Sequence, residues 1–346
     1  MAHQRLTVED VEGIYAIMPT PATDAAATNP EAEFTVDLDE TRRGARRLVD
    51  DGIDAIMING TFGEAHAITD EEYEQFTEAV IDEVGGDAYV LAGPTTVSVR
   101  HTIQRAKTAR DLGADGLLCG RPMWCKLPQE GIVDFYRDVA EAVPELGVVA
   151  YDNPGAFKGR IRVWDDLAEI DNIVAAKFVG IGIDYRTAVT QVRDSEGDMV
   201  IMPIDRDWMT ARTWYPDRNP AAWSSSAACG PLPVTMLRDS MQQGDFGAVR
   251  SLVERLTATQ ETFFPNGSRE QFYMYNVPVE KIRFNAAGYL DSGPSRRPYH
   301  NIPDKHADGA ALAGERWREL VEDLEDDDEL QQRIYGDERR VESVPS

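Results

Sequence analysis

Lysine is scarce here: of 35 basic residues in 346, only six are lysine (Lys107, Lys126, Lys158, Lys177, Lys281 and Lys305), set against 61 acidic residues. The formal net charge of −26 excludes nucleic acid and anionic membranes as partners, because such a surface repels both. Arginine in place of lysine on an acid-rich chain suits high ionic strength, where screening acts over only a few ångströms and removes self-repulsion. A halophilic source is the expectation. Cysteine is scarce too. Cys119, Cys125 and Cys229 are odd in number and lack metal-ligand spacing, which points to a reduced cytoplasm and away from a structural zinc site. No apolar run approaches the roughly 20 residues of a membrane span, and MAHQRLTVED lacks the apolar stretch of a signal peptide, so a soluble cytoplasmic protein is expected.

What the chain does have is a repeated pattern. From residue 13, short apolar runs end in Gly, Pro, Thr, Asn or Asp and are followed by segments with helical apolar spacing. There are eight: GIYAIMPT (13–20), IDAIMINGT (53–61), AYVLAGPT (88–95), DGLLCGRP (115–122), GVVAYDNP (147–154), IVAAKFVG (173–180), MVIMPID (199–205) and AAWSSSAA (221–228). Thr69 followed by acids reads as a helix start, as does Ser98, with Gly113 as a stop. Eight strands alternating with helices argue for an α/β fold of the (β/α)8 TIM-barrel type. The rival is an open doubly wound sheet, for which Gly180-Ile181-Gly182 is too weak a dinucleotide fingerprint. Strands and most helices occupy 1–230. The last barrel helix and a C-terminal helical appendage follow in 231–305, with SGPSRRPYHNIPD extended, and a further helix and an acidic tail fill 306–346. The tail is expected to be a solvated helix end or disordered.

In a parallel barrel the chemistry sits at the C-terminal ends of the strands. In NIVAAKFVG, Lys177 stands inside a run with no polar alternation, where burial favours the neutral amine, a nucleophile. A lysine that snorkels to water is the alternative. Gly60-Thr61-Phe62-Gly63-Glu64 couples a strand to a turn whose backbone N–H groups and Thr61 hydroxyl can hold a carboxylate, or is a turn capped by Thr61 and Glu64. Tyr151 closes the fifth strand before Asp-Asn-Pro, placed either to move protons beside an amine nucleophile or to pack at the rim.

GTFGE, YDNPGAFKGR and AAKFVG, in that order, resemble the dihydrodipicolinate synthase and N-acetylneuraminate lyase superfamily of class I pyruvate aldolases. The resemblance implies that Lys177 forms a Schiff base with a 2-oxo acid, that Gly60, Thr61 and Phe62 hold its carboxylate, and that Tyr151 transfers protons. It implies a homotetramer or homodimer and no metal or organic cofactor, since the iminium does the polarising.

Departures from the superfamily pattern select a branch. Where the synthases carry an arginine for the second substrate this chain has Ala156 and Phe157, and where they carry a tyrosine pair it has Met123 and Trp124. Apolar replacements suit a flat hydrophobic partner better than a semialdehyde or a sugar. AWSSSAACGP, FFPNGSREQFYMYNVPVEKIRFNAAGY and GPSRRPYHNIP resemble the hydratase-aldolases that act on benzylidenepyruvates. That branch implies that Trp223, Ser224 and Asn276 line the aromatic end of the site; Trp124, in the fourth-strand loop, is either a further substrate contact or packed in the core. Two other readings stay open: a 2-keto-3-deoxy sugar-acid aldolase or dehydratase or a synthase-like enzyme of the same superfamily, and a non-catalytic sensor of 2-oxo acids.

Overall fold

Each apolar run becomes a strand in the computed structural model, which describes residues 5–336. The strands are β1 (Gly13–Ile17), β2 (Ala55–Ile58), β3 (Tyr89–Ala92), β4 (Gly116–Gly120), β5 (Gly147–Asp152), β6 (Ile173–Phe178), β7 (Val200–Met202) and β8 (Ala221–Ser224). All pair in parallel in the order β7-β6-β5-β4-β3-β2-β1-β8. A bridge between Ile204 and Trp223, with Trp223 N–H donating to Pro203 O at 3.0 Å, brings the ends together. The result is a nearly closed TIM barrel, and the open doubly wound sheet is excluded. Near-continuous apolar strands are what a parallel sheet covered on both faces requires.

A single turn, α1 (Ala25–Thr28), precedes the barrel helices α2 (Leu38–Asp50), α3 (Asp70–Val84), α4 (Val99–Leu112), α5 (Gln129–Ala142), α6 (Trp164–Ala168), α7 (Ile183–Asp194), α8 (Trp208–Trp214) and α9 (Leu232–Gln243). Thr69 and Glu72 form a reciprocal capping box on α3. On α4, Ser98 accepts from His101 N–H, and Gly113 ends the helix at φ +96°.

The appendage comprises α10 (Phe246–Thr259), α11 (Arg269–Met274), α12 (Asn276–Ala287), α13 (Asp304–Glu325) and α14 (Asp328–Tyr335), with α13 packed on α9, α10 and α12. Pro278 lies in the first turn of α12, where its missing N–H costs nothing, so it starts the helix and does not kink it. Part of the tail departs from the expectation of a solvated end. Leu330 and Ile334, four apart on α14, are buried as that helix packs on α9 and α13. The rest of the tail, 337–346, lies outside the described residues.

Candidate active site

Register places the lysine and the tyrosine together. On neighbouring strands Tyr151 pairs directly with Lys177, so both side chains leave the sheet on the same face. Lys177 is 2 % exposed, which disposes of the snorkelling alternative. Its Nζ lies 4.3 Å from the Tyr151 ring centroid and 3.5 Å from that of Trp223. Burial lowers the lysine to a pKa of about 7, with the negative charge of Glu280 pulling the other way. Near neutral pH a substantial fraction is therefore the free amine.

The Tyr151 hydroxyl is held from two sides. It lies 3.0 Å from Thr61 Oγ1, and Asn153 Nδ2 donates to it at 2.9 Å while Asn153 Oδ1 accepts from Gly155 N–H at 2.9 Å. Burial raises the phenol pKa, and the Thr61 and Asn153 hydrogen bonds pull it back. Local sequence shows Asn153 only as part of a turn; its place two residues after Tyr151 is the signal that it follows the tyrosine to the barrel mouth.

The Gly60–Glu64 turn leaves β2 with Asn59 at φ +56° and Glu64 at φ +52°. A Cβ on Gly63 would meet Gly60 N at 2.9 Å, so the turn closes only with glycine there. Glu64 is not a helix cap. It is fully buried and takes Lys281 Nζ at 2.9 Å and Arg296 Nη1 at 2.6 Å on one oxygen and Arg296 N–H at 2.6 Å on the other. Burial would push this carboxyl up, but Lys281 and Arg296 outweigh it and hold it below the usual carboxylate value. The appendage is thereby tied to the turn.

Two lobes of a cavity meet at Tyr151, Tyr273 and Asn276. The lysine lobe takes in Lys177, Phe62, Trp223, Ser225, Glu280 and Arg283. The other, about 310 Å³, has Gly60, Thr61, Met123, Phe157, Tyr275 and Tyr299 on its walls. Phe157 also stacks edge-on against Tyr151 at 5.6 Å between centroids. Two expectations about the lining need correction. Trp124 is 76 % exposed and lines neither lobe; its neighbour Met123 faces in. Ser224, fully buried, is consumed structurally: its hydroxyl donates to Asp205 at 2.6 Å and accepts Ala227 N–H at 3.0 Å, and Ser225 lines the lobe in its place.

Among the described residues, no group of three or more His, Cys, Asp or Glu side chains is placed to hold a metal ion, and no helix is long and apolar enough to cross a membrane. A buried amine beside a tethered phenol is the equipment of Schiff-base chemistry on a carbonyl compound. The sequence model of the dihydrodipicolinate synthetase family matches residues 22–305. The chain belongs to that family. Within it, the chain is 40 % identical over 326 residues to the trans-o-hydroxybenzylidenepyruvate hydratase-aldolase of Sphingobium xenophagum, covering 92 % of this chain and 98 % of the relative. It is 38 % identical over 319 residues to the trans-2'-carboxybenzalpyruvate hydratase-aldolase of Nocardioides sp. strain KP7, with 92 % and 96 % covered. A solved structure of PhdJ bound to a substrate intermediate superposes with a TM-score of 0.90 at 40 % identity, covering 93 % of this chain and 99 % of that one. Membership of the dihydrodipicolinate synthetase family makes the chain an aldolase-type lyase of class I.

Proposed function

We propose that this protein is a hydratase-aldolase that cleaves an arylidene pyruvate into an aromatic aldehyde and pyruvate. One observation carries the reading: the lobe beside the buried Lys177 amine is walled by Met123, Phe157, Tyr275 and Tyr299, a surface for a flat ring.

Lys177 adds to the ketone and, with loss of water, forms an iminium conjugated to the alkene, while the N–H groups of the Gly60–Gly63 turn face the substrate carboxylate. Water adds at the benzylic carbon as the alkene electrons move toward the iminium nitrogen, and the enamine takes a proton at the adjacent carbon. Tyr151, held by Thr61 and Asn153, then removes the proton of the new hydroxyl. The carbon-carbon bond breaks, the aldehyde leaves, and the pyruvate enamine is protonated and hydrolysed from Lys177. The reading uses no metal or organic cofactor. It includes a cytoplasmic, halophilic setting on the strength of the net charge of −26, and a homotetramer or homodimer.

The test is mass spectrometry of protein incubated in high salt with pyruvate and borohydride. A reduced pyruvyl adduct on Lys177, together with conversion of a benzylidenepyruvate to aldehyde, is the expected result. Folded protein without an adduct would favour a 2-oxo acid sensor, and turnover by Lys177→Arg would refute the Schiff base.

A further inference from the structure

Hydration and cleavage each need a base, and Tyr151 is committed to cleavage. The water that adds to the alkene must lose a proton as its oxygen bonds to the benzylic carbon.

Helix α12 supplies one. Asn276, Glu280 and Arg283 are spaced four and three apart, so they share a face, and all three line the lysine lobe. Asn276 Oδ1 is buried without a hydrogen-bond partner, an acceptor waiting for a donor such as water. One turn further, Glu280 is 3 % exposed and accepts from Arg283 Nη2 at 2.6 Å. Arg283 is itself anchored by Ser225 Oγ at 3.0 Å and Ser226 Oγ at 2.9 Å, so the carboxylate is fixed in place.

We infer that Glu280 is the catalytic base of the hydration step, taking the proton of the water that Asn276 holds against the benzylic carbon. This rests on the hydratase-aldolase reading above. The step balances in atoms and charge. The oxygen-carbon bond forms, the alkene pair shifts to make the enamine, the iminium loses its positive charge, and the proton passes to Glu280, which loses its negative one. The charges of the iminium and of the carboxylate disappear together, while the Arg283 guanidinium stays charged beside the neutral acid, held by Ser225 and Ser226. Burial raises the carboxyl of Glu280, which brings its proton affinity closer to that needed by a base working near neutral pH. The proton is then available to the adjacent carbon of the enamine.

The experiment uses two substrates: a benzylidenepyruvate, which must be hydrated, and its hydrate, the 4-aryl-4-hydroxy-2-oxobutanoate, which needs only cleavage. Glu280→Gln should lose about 100-fold or more in turnover of the alkene, keep cleavage of the hydrate within about threefold, and still give the borohydride-trapped pyruvyl adduct on Lys177. An equal loss on both substrates would make Glu280 structural, and full activity on the alkene would remove it from the reaction; either overturns the assignment. Glu280→Asp keeps the charge beside Arg283 and pulls the carboxylate back. It should show the same split, about tenfold on the alkene, and covers the case in which the glutamine variant fails to fold. Wild-type protein that forms the adduct yet turns over neither substrate would overturn the function reading itself, and with it this role for Glu280.

Discussion

The Lys177 nitrogen sits 3.5 Å from the centroid of the Trp223 ring, and that ring is locked by its own N–H, which donates to Phe178 O at 2.8 Å, the residue after the lysine. Two opposed influences thus act on one atom. Burial disfavours positive charge on the lysine, while the indole face favours it. An enzyme of this type needs both. The amine must be neutral to attack, and the iminium that follows is cationic.

Trp223→Phe keeps an apolar ring but weakens the quadrupole and removes the N–H tether. A desolvated cation–π contact is worth about 2 kcal/mol, and about half of that stays with phenylalanine, so turnover should fall roughly fivefold with the fold intact. Steady-state kinetics with a benzylidenepyruvate checks this; unchanged kcat would show that the iminium does not use the ring.

Adduct formation should follow the protonation of Lys177. With its pKa lowered to about 7, the neutral fraction grows as pH rises through that value and levels off about a unit above. The rate of borohydride trapping with pyruvate should trace the same curve. Because Glu280 raises the lysine value, Glu280→Gln should move the midpoint to lower pH. A midpoint near the ordinary lysine value would mean that the amine is solvated.

Asn153→Ala removes the donor that holds the Tyr151 oxygen at 2.9 Å and leaves Thr61 alone to orient it. A hydrogen bond to a group that carries charge during the reaction is worth about 1.5 to 3 kcal/mol, so kcat should drop roughly 10- to 100-fold. Trapping of pyruvate on Lys177 should persist, since the amine is untouched. Equal loss of both would place Asn153 in the fold of the loop and not in proton transfer.

Strand ends were readable because an apolar run interrupted by lysine, tyrosine or a Gly-Thr turn is costly unless it points into a site. Direction was not. Trp124 and Met123 are adjacent in a loop, and nothing in their order says that the methionine turns inward and the tryptophan to solvent. Ser224 and Ser225 differ by one step, which at the end of a strand reverses the face. Glu280 and Arg283 were visible as helix residues with a charge, but which helix closes over the barrel mouth is a long-range matter that local spacing does not carry. Glu64 belonged to a motif that was legible; its partners Lys281 and Arg296 lie more than 200 residues away.

That long-range cluster bears the last prediction. Lys281 and Arg296 are 1 % and 3 % exposed and share one carboxylate, so Glu64→Gln leaves two buried cations facing an amide. Removing one member of a buried ionic group costs about 3 to 5 kcal/mol, because the remaining charges stay desolvated without compensation. Lys281, whose pKa burial lowers to about 8 in spite of Glu64, is the group best able to shed its proton in relief. Adding Lys281→Met to Glu64→Gln should therefore recover part of the loss by removing one stranded charge. Since Glu64 ends the turn proposed to hold the substrate carboxylate, the single variant should also raise KM for the 2-oxo acid more than it lowers kcat. Urea unfolding in high salt and steady-state kinetics read the two effects separately. If the single variant unfolds at the wild-type midpoint, the cluster does not hold the appendage to the barrel.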